Sequence, residues 1–277
     1  MTTLLLLSCV FFRRDRQDAV ELALDAADAL YAQRTDSERL DEAIGAYVLI
    51  LSDAPGDGRV LWRLSRAFTS RAEGIEGEDR RKELELARGY GLQCLAINPG
   101  FAARMDLNGG RITRNAARQL TVADAPCVEH TLYAWVRWAE GRGPAAAVDL
   151  PALEALSGRA VELNAGWVAP WSAAMVVLLR PGPVEQDLAL SRQRLQTAIL
   201  AAPQRATAHA DLIRWQVVRE GDLDLFTREV DGFAGTWPEA SDGEWAYENV
   251  LARRRVESMR GSAQTLMYAA WSGDRPD

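Results

Sequence analysis

Four stretches of the 277-residue chain carry the same four-position skeleton, and this repeat restricts the fold more than any other feature of the sequence. Ala43, Tyr47, Ile50 and Pro55 stand at offsets of zero, four, seven and twelve. The same offsets select Ala87, Gly91, Cys94 and Pro99, then Ser191, Leu195, Ala198 and Pro203, and, with alanine replacing the proline, Leu153, Ser157, Ala160 and Ala165. Residues four and seven apart share one face of an α-helix. A small residue there lets a second helix approach closely, an apolar residue one turn on packs against the neighbour, and proline ends the helix before the next unit. The skeleton therefore marks the second helix of a repeated helical hairpin.

The rest of the chain fits that reading. No period-2 run of β-branched residues flanked by turn pairs is found, whereas apolar residues recur at three and four along most of the length. The periodicity predicts helices from Asp18 to Tyr31 and, after a capping box at Thr35–Glu38, through Leu40 to Leu51. Later hairpins are predicted as Val128–Glu140 with Leu153–Leu163, Trp167–Leu179 with Leu188–Ala201, and Thr207–Arg219 with Leu223–Ala234. Gly100–Pro126 reads as an extra segment, with a turn at Met105–Gly110 and one more helix. Glu244–Met267 reads as one long helix capping an open stack. Leu61-Trp62-Arg63-Leu64-Ser65-Arg66-Ala67-Phe68 has the apolar, small and aromatic order of the first helix of a tetratricopeptide repeat, which the whole pattern resembles. The units are separated by 44, 66 and 38 residues, so the repeat is degenerate. The expected fold class is all-α: stacked antiparallel helical hairpins, a degenerate TPR-like superhelix in one domain over 10–277.

Charge excludes one large class of function. A net charge of -7 and short arginine runs that each adjoin Asp or Glu leave no basic face for nucleic acid. Catalytic signatures are missing as well: there is no GxSxG elbow, no HExxH and no glycine-rich phosphate loop. With His130 and His209 the only histidines and no CxxC, no metal set can be assembled, and no cofactor is expected. His130 adjoins Glu129, but successive helical residues point about 100° apart, so His130 is read as a wall or cap residue and not as an acid–base partner. His209 is read as a partly buried imidazole. Asp222 and Asp224 read as helix-capping residues. Cys94 and Cys127 are either two buried thiols or, in an oxidising compartment, a disulfide.

Tryptophan is what stands out. Nine are present, several on the predicted first helices of successive hairpins. In a stack of hairpins the first helices line the concave surface, so Trp62, Tyr133, Trp138 and Trp171, with His130, form a candidate aromatic wall for an apolar ligand or a peptide; packing between repeats is the other reading of the same rings.

In the second half Leu132-Tyr133-Ala134-Trp135-Val136-Arg137-Trp138-Ala139-Glu140-Gly141, Gly158-Arg159-Ala160-Val161-Glu162-Leu163-Asn164, Asp224-Leu225-Phe226 and Glu248-Asn249-Val250-Leu251-Ala252-Arg253-Arg254-Arg255 follow one another in order. Together, over roughly Leu40 to Met267, they resemble the T component of tripartite ATP-independent periplasmic (TRAP) transporters, the TatT family. The resemblance implies a non-catalytic, TPR-like periplasmic lipoprotein that associates with the transporter's substrate-binding protein, forms a trimer and guides an apolar small molecule through a pore or cleft. A TPR-like scaffold that binds a peptide segment on its concave face is the alternative.

The N-terminus bears on the compartment. Leu6-Leu7-Ser8-Cys9 resembles a bacterial lipobox, in which the cysteine is lipidated and becomes the mature N-terminus. Residues 1–9 are therefore read as a signal-peptide remnant and Cys9 as the lipidation site, which places the protein in the periplasm, tethered by lipid to a bacterial membrane, the outer one being expected. No other apolar stretch is long enough to cross a bilayer.

Overall fold

The computed structural model describes residues 18–180, 186–237 and 243–272, with side chains as far as Tyr268. Residues 1–9, and with them the lipidation site expected at Cys9, lie outside the described residues. Among those described there is no strand, and the fold is all-helical, with helices packed in pairs. No described helix is long and apolar enough to cross a membrane.

Helices α1 (18–31) and α2 (Ser37–Asp53) form the first hairpin, and α3 (Gly58–Glu73) with α4 (Gly77–Ala96) the second. The cap of α2 differs from the expected box: Asp36 is the N-cap, and its carboxylate accepts from the Glu38 backbone N–H at 2.9 Å. The extra segment also differs in order. Helix α5 (Pro99–Leu107) comes before the turn, which is made by Asn108, Gly109 and Gly110, and the single-turn α6 (Arg114–Ala117) follows. Helices α7 (Ala125–Glu140) and α8 (Leu150–Leu163) make the third hairpin, and α9 (Val168–Leu178) with α10 (Leu188–Ala201) the fourth. A continuous helix from Thr207 to Glu220 follows, in which α11 (Thr207–Asp211) and α12 (Val218–Glu220) flank a π-helical turn at Leu212–Val217. It pairs with α13 (Leu223–Thr236), whose N-cap is Asp222, accepting from Leu225 N–H at 2.8 Å.

All twelve non-terminal skeleton positions are buried. The skeleton serves contacts between units as well as within them, since α2, α4 and α8 each pack on the first helix of the next hairpin: α3, α7 and α9. The closest of these approaches is at Gly91, where an added Cβ would lie 2.9 Å from Cα of Thr131 on α7. Cys94, one turn further along α4, is disulfide-bonded to Cys127 at the start of α7, with 5.5 Å between Cα atoms. Of the two readings left open for these cysteines, the structure therefore shows the disulfide.

The C-terminal region is not one capping helix on an open stack. Helix α14 (Ala246–Arg260) ends at Gly261, and α15 (Ala263–Ser272) starts after a turn. Helix α14 returns to the N-terminal half and packs on α3. Tyr247 donates to the Ser70 carbonyl at 3.0 Å, and Arg255 pairs with Glu73. Arg34, just beyond α1, grips the Glu248 carboxylate with two hydrogen bonds of 3.0 and 2.8 Å, across 214 residues of sequence. The C-terminal helix is thereby joined to the first two hairpins across the concave side.

Candidate functional site

These contacts shape a partly open cavity of about 550 Å³. Its walls come from α1 and the turn after it (Asp28, Tyr31, Arg34), from α3 (Trp62, Arg66, Ser70, Glu73), from the first two turns of α7 (Pro126, Glu129, His130, Tyr133), and from Trp167, Arg205 and Trp245. Each segment arrives for a local reason. On α3 and α7, residues three and four apart fall on one face. Trp167 is presented by a tight turn in which Asn164 and Gly166 both take left-handed φ, 52° and 57°, a conformation that favours asparagine and glycine. Arg205 lies in the connection after α10, beyond the skeleton's Pro203, where its Nε donates to Thr207 Oγ1 at 3.3 Å.

Three of the five residues expected to bind ligand meet at the cavity. Trp62 and His130 stack face to face, with ring centroids 5.2 Å apart and planes inclined by 14°. Tyr133, one turn along α7 from Glu129, is also a wall residue and leans on Trp167 and Trp171, its centroid 5.6 and 4.9 Å from theirs. Trp171 lies behind that wall: it is fully buried, and its indole N–H donates to Asp211 at 2.8 Å. Trp138 is five residues from Tyr133, and a rotation of about 140° carries it to another face of α7. There it lies beneath the guanidiniums of Arg88 and Arg142, 4.1 and 4.4 Å from its ring, with no part in the cavity. His209 is likewise elsewhere, with Nε2 3.3 Å from a Glu229 oxygen and its ring edge-on to Phe233.

The electrostatics of the walls are mostly self-compensated. Asp28 accepts from Arg63 and Arg66. Burial alone would raise its carboxyl, but these guanidiniums and the Tyr47 hydroxyl hold it below the usual range. Glu73 is set at the edge of a buried network. Burial opposes its charge, yet Arg255 and Arg137 keep its carboxyl well below the ordinary value. Arg137 Nε lies 3.1 Å from Glu73, close enough to attract though not aligned for a hydrogen bond. Its other nitrogens donate to Glu140 at 2.9 Å and to both Asp211 oxygens at 3.0 and 2.8 Å, with Arg137 and Asp211 both completely buried.

Glu129 and His130 behave differently. Burial pushes the Glu129 carboxyl upward, against the opposing pull of Arg205 and Arg66. Burial, together with Arg66, Arg205 and Arg63, pushes the His130 imidazole well below its ordinary value, so this ring is neutral at neutral pH. Neither has a charged partner of its own within ion-pairing distance among the described residues. Arg66 lies 3.9 Å over the Tyr31 ring and 5.0 Å over Trp62; Arg205 lies 3.9 Å over Trp167 and 4.4 Å over Trp245. Chemically this is an aromatic chamber whose wall carries five carboxylates and three guanidiniums, and among the described residues no nucleophile in it is paired with a base. Among the described residues no cluster of His, Cys, Asp or Glu could hold a metal ion.

Sequence reasoning reached the rings of α3 and α7 but not Glu129 as a wall residue, nor Trp167, Arg205 and Trp245. The signal for Trp167 is its place two residues after the skeleton's fourth position, Ala165. For Arg205 and Trp245 no local pattern marks a cavity residue, because the long-range closure by α14 brings them there.

Fold and site together define an all-helical hairpin protein with a small-molecule-sized, partly open aromatic cavity. Comparison with protein-family models and with curated proteins finds no match.

Proposed function

We propose that the protein is a non-catalytic binding protein for a small, largely apolar molecule, acting as an accessory lipoprotein of a TRAP-type uptake system. The observation that carries the binding reading is the cavity itself. At about 550 Å³ it lies within the range of sites for small organic ligands, and Trp62, Tyr133, Trp167 and Trp245 supply the apolar and aromatic lining typical of them. The transport reading rests on the sequence resemblance to the TatT family and takes support from the Cys94–Cys127 disulfide, a bond characteristic of oxidising compartments such as the periplasm. In this role the protein hands its ligand to a substrate-binding component, as a homo-trimer anchored by Cys9.

Native mass spectrometry of protein purified from its own host tests the binding step. Bound small-molecule mass, released on unfolding, is the expected result; a bare chain together with no thermal shift against a library of aromatic and aliphatic metabolites refutes it. Co-purification with a TRAP substrate-binding protein, and loss of membrane association on Cys9→Ala substitution, test the accessory role separately.

A further inference from the structure

The segment inserted between the second and third hairpins carries charge of the opposite sign to the chain as a whole. Between Pro99 and Ala125 stand four arginines, Arg104, Arg111, Arg114 and Arg118, against two acids, Asp106 and Asp124, a net charge of +2 in a chain whose total is -7. Asp124 is engaged locally, accepting from Thr121 N–H and Oγ1 at 2.7 and 2.9 Å and from Asn98 Nδ2 at 2.9 Å. All four arginines are exposed, and among the described residues none of them forms an ion pair. The arginines of α3 set the contrast, since Arg59, Arg63, Arg66 and Arg71 each hold an Asp or Glu.

No two of the four adjoin in sequence; the fold gathers them. Asn108 links the first two, its amide donating to the Arg104 carbonyl and its own carbonyl accepting from Arg111 Nε. Arg114 and Arg118 open and cap α6, which packs on both α5 and α8. With Arg159 of α8 they line a recess of about 200 Å³ whose two acids, Glu154 and Glu162, are already held by Arg180 and Arg159. Phe101, Ile112, Ala116, Ala117 and Leu120 are buried on the core side of this layer, so the arginines share its outer side. Leu107 lies three residues from Arg104, on the same side of α5, and projects with 77 % of its surface exposed.

We infer that this face docks on an anionic phospholipid surface, with the four arginines on lipid phosphates and Leu107 at the boundary between headgroups and acyl chains. The inference stands apart from the cavity and its occupant, and holds with or without a tether at Cys9. Guanidinium forks match phosphate oxygens in paired hydrogen bonds, and these four give up no internal ion pair on docking. The acidity of the rest of the chain does not cancel the attraction: the screening length is about 8 Å at physiological ionic strength, so acids on other faces repel the surface weakly while arginines at contact act in full. A projecting leucine beside cations is the arrangement of an interfacial element, which buries its apolar side chain below its basic ones. An acidic protein partner would be met by a broader apolar core within the patch.

The test is co-sedimentation of the full chain, carrying Cys9→Ser so that no acyl group contributes, with vesicles of phosphatidylcholine alone and of equal parts phosphatidylcholine and phosphatidylglycerol. Binding to the anionic vesicles is expected to be about tenfold or more tighter than to the neutral ones, and to weaken as salt is raised. Replacing Arg104, Arg111, Arg114 and Arg118 together by glutamine is expected to remove that preference, and Leu107→Ser to weaken binding to the anionic vesicles while keeping its salt dependence. Arg228→Gln with Arg254→Gln, which removes exposed arginines elsewhere, is expected to leave the preference within about twofold. All six arginines and Leu107 are exposed, so thermal melts of the variants should match the parent. Equal binding to the two kinds of vesicle overturns the assignment, as does a preference that survives loss of the four arginines. Capture by poly-L-glutamate without binding to anionic vesicles also overturns it and assigns the face to an acidic protein.

Discussion

Two glycines on one helix provide the sharpest test of how the hairpins pack. Gly89 and Gly91 both lie within α4, two residues apart. Replacing a helical glycine by alanine ordinarily stabilises by about 0.5–1 kcal/mol, because the unfolded chain has less freedom to lose. At Gly89 an added Cβ meets no heavy atom within 4 Å, so Gly89→Ala should gain that amount. At Gly91 the same methyl would fall 2.5 Å from Thr131 Oγ1, 2.9 Å from its Cα and 3.0 Å from its Cβ. Thr131 cannot move aside: it is fully buried, its hydroxyl is bonded to the Cys127 carbonyl, and one of the three atoms is backbone. Nor can α4 and α7 part freely, since the Cys94–Cys127 bond ties them one turn away. Overpacking of this kind costs about 1–3 kcal/mol, which outweighs the propensity gain and leaves Gly91→Ala less stable by about 1–2 kcal/mol. For a chain of this size that is a fall of roughly 2–8 °C in Tm, against a rise of about 1–4 °C for Gly89→Ala. Circular-dichroism melts and urea titrations of both variants read the difference directly. If Gly91→Ala melts at or above the Tm of Gly89→Ala, the close inter-unit contact assigned to the skeleton's small residue is wrong.

Arg137→Ala should cost about 3–5 kcal/mol in urea denaturation, because it strands the buried charges of Asp211 and Glu140, whereas disruption of the exposed Arg39–Glu42 pair should change little. Reducing the 33-residue Cys94–Cys127 link, or Cys94→Ser, should remove about 3–4 kcal/mol by the chain-entropy argument, checked by melts with and without reductant. Asp28, Asp57 and Glu73 have folded carboxyls below their unfolded values, so the stability they contribute is complete above about pH 5 and is lost as pH falls through the folded values. His130 adds a second acid slope at higher pH. The unfolded imidazole takes a proton near its ordinary value of about 6.5 while the folded one stays neutral, so stability falls as pH drops below that point. A His130→Gln variant should flatten the stability profile between about pH 5 and 6.5, and an unchanged profile would count against a buried neutral ring.

How much of this was legible in the sequence follows from the range of the forces involved. The hairpins were readable because helical periodicity and proline stops are local, and the skeleton residues from Ala43 to Ala198 are buried as their spacing implies. The stacked pair Trp62 and His130 was within reach because each lies on the first helix of a hairpin. Trp138 and Trp171 show the limit of that reasoning, since rotation along α7 and the depth of α9 decide which ring faces the concavity. The break at Gly261 leaves no mark in the pattern because the apolar period runs on across it. Least legible was the closure by α14, made by pairs such as Arg34 with Glu248, whose sequence separation leaves no periodic trace.

That closure also explains why ligand binding and global stability should be coupled here. The cavity wall draws on α1, α3, α7, Trp167, Arg205 and α14, so a bound molecule meets segments from the first hairpin and from the returning C-terminal helix together. Partial unfolding that releases α14 removes Trp245 and Glu248 from the site at once, together with the Tyr247 and Arg255 bonds to α3. A ligand that binds only the closed form then stabilises the fold by about 2.7 kcal/mol when present at a hundred times its Kd, whichever wall it touches first. An open stack of hairpins would lack this property, because its terminal helices could fray without disturbing a ligand held in the middle. Hydrogen exchange therefore discriminates between the two architectures: ligand should slow exchange in α14 and α1 together, as one cooperative unit, whereas protection confined to α3 and α7 would mean that the ends do not close on the site.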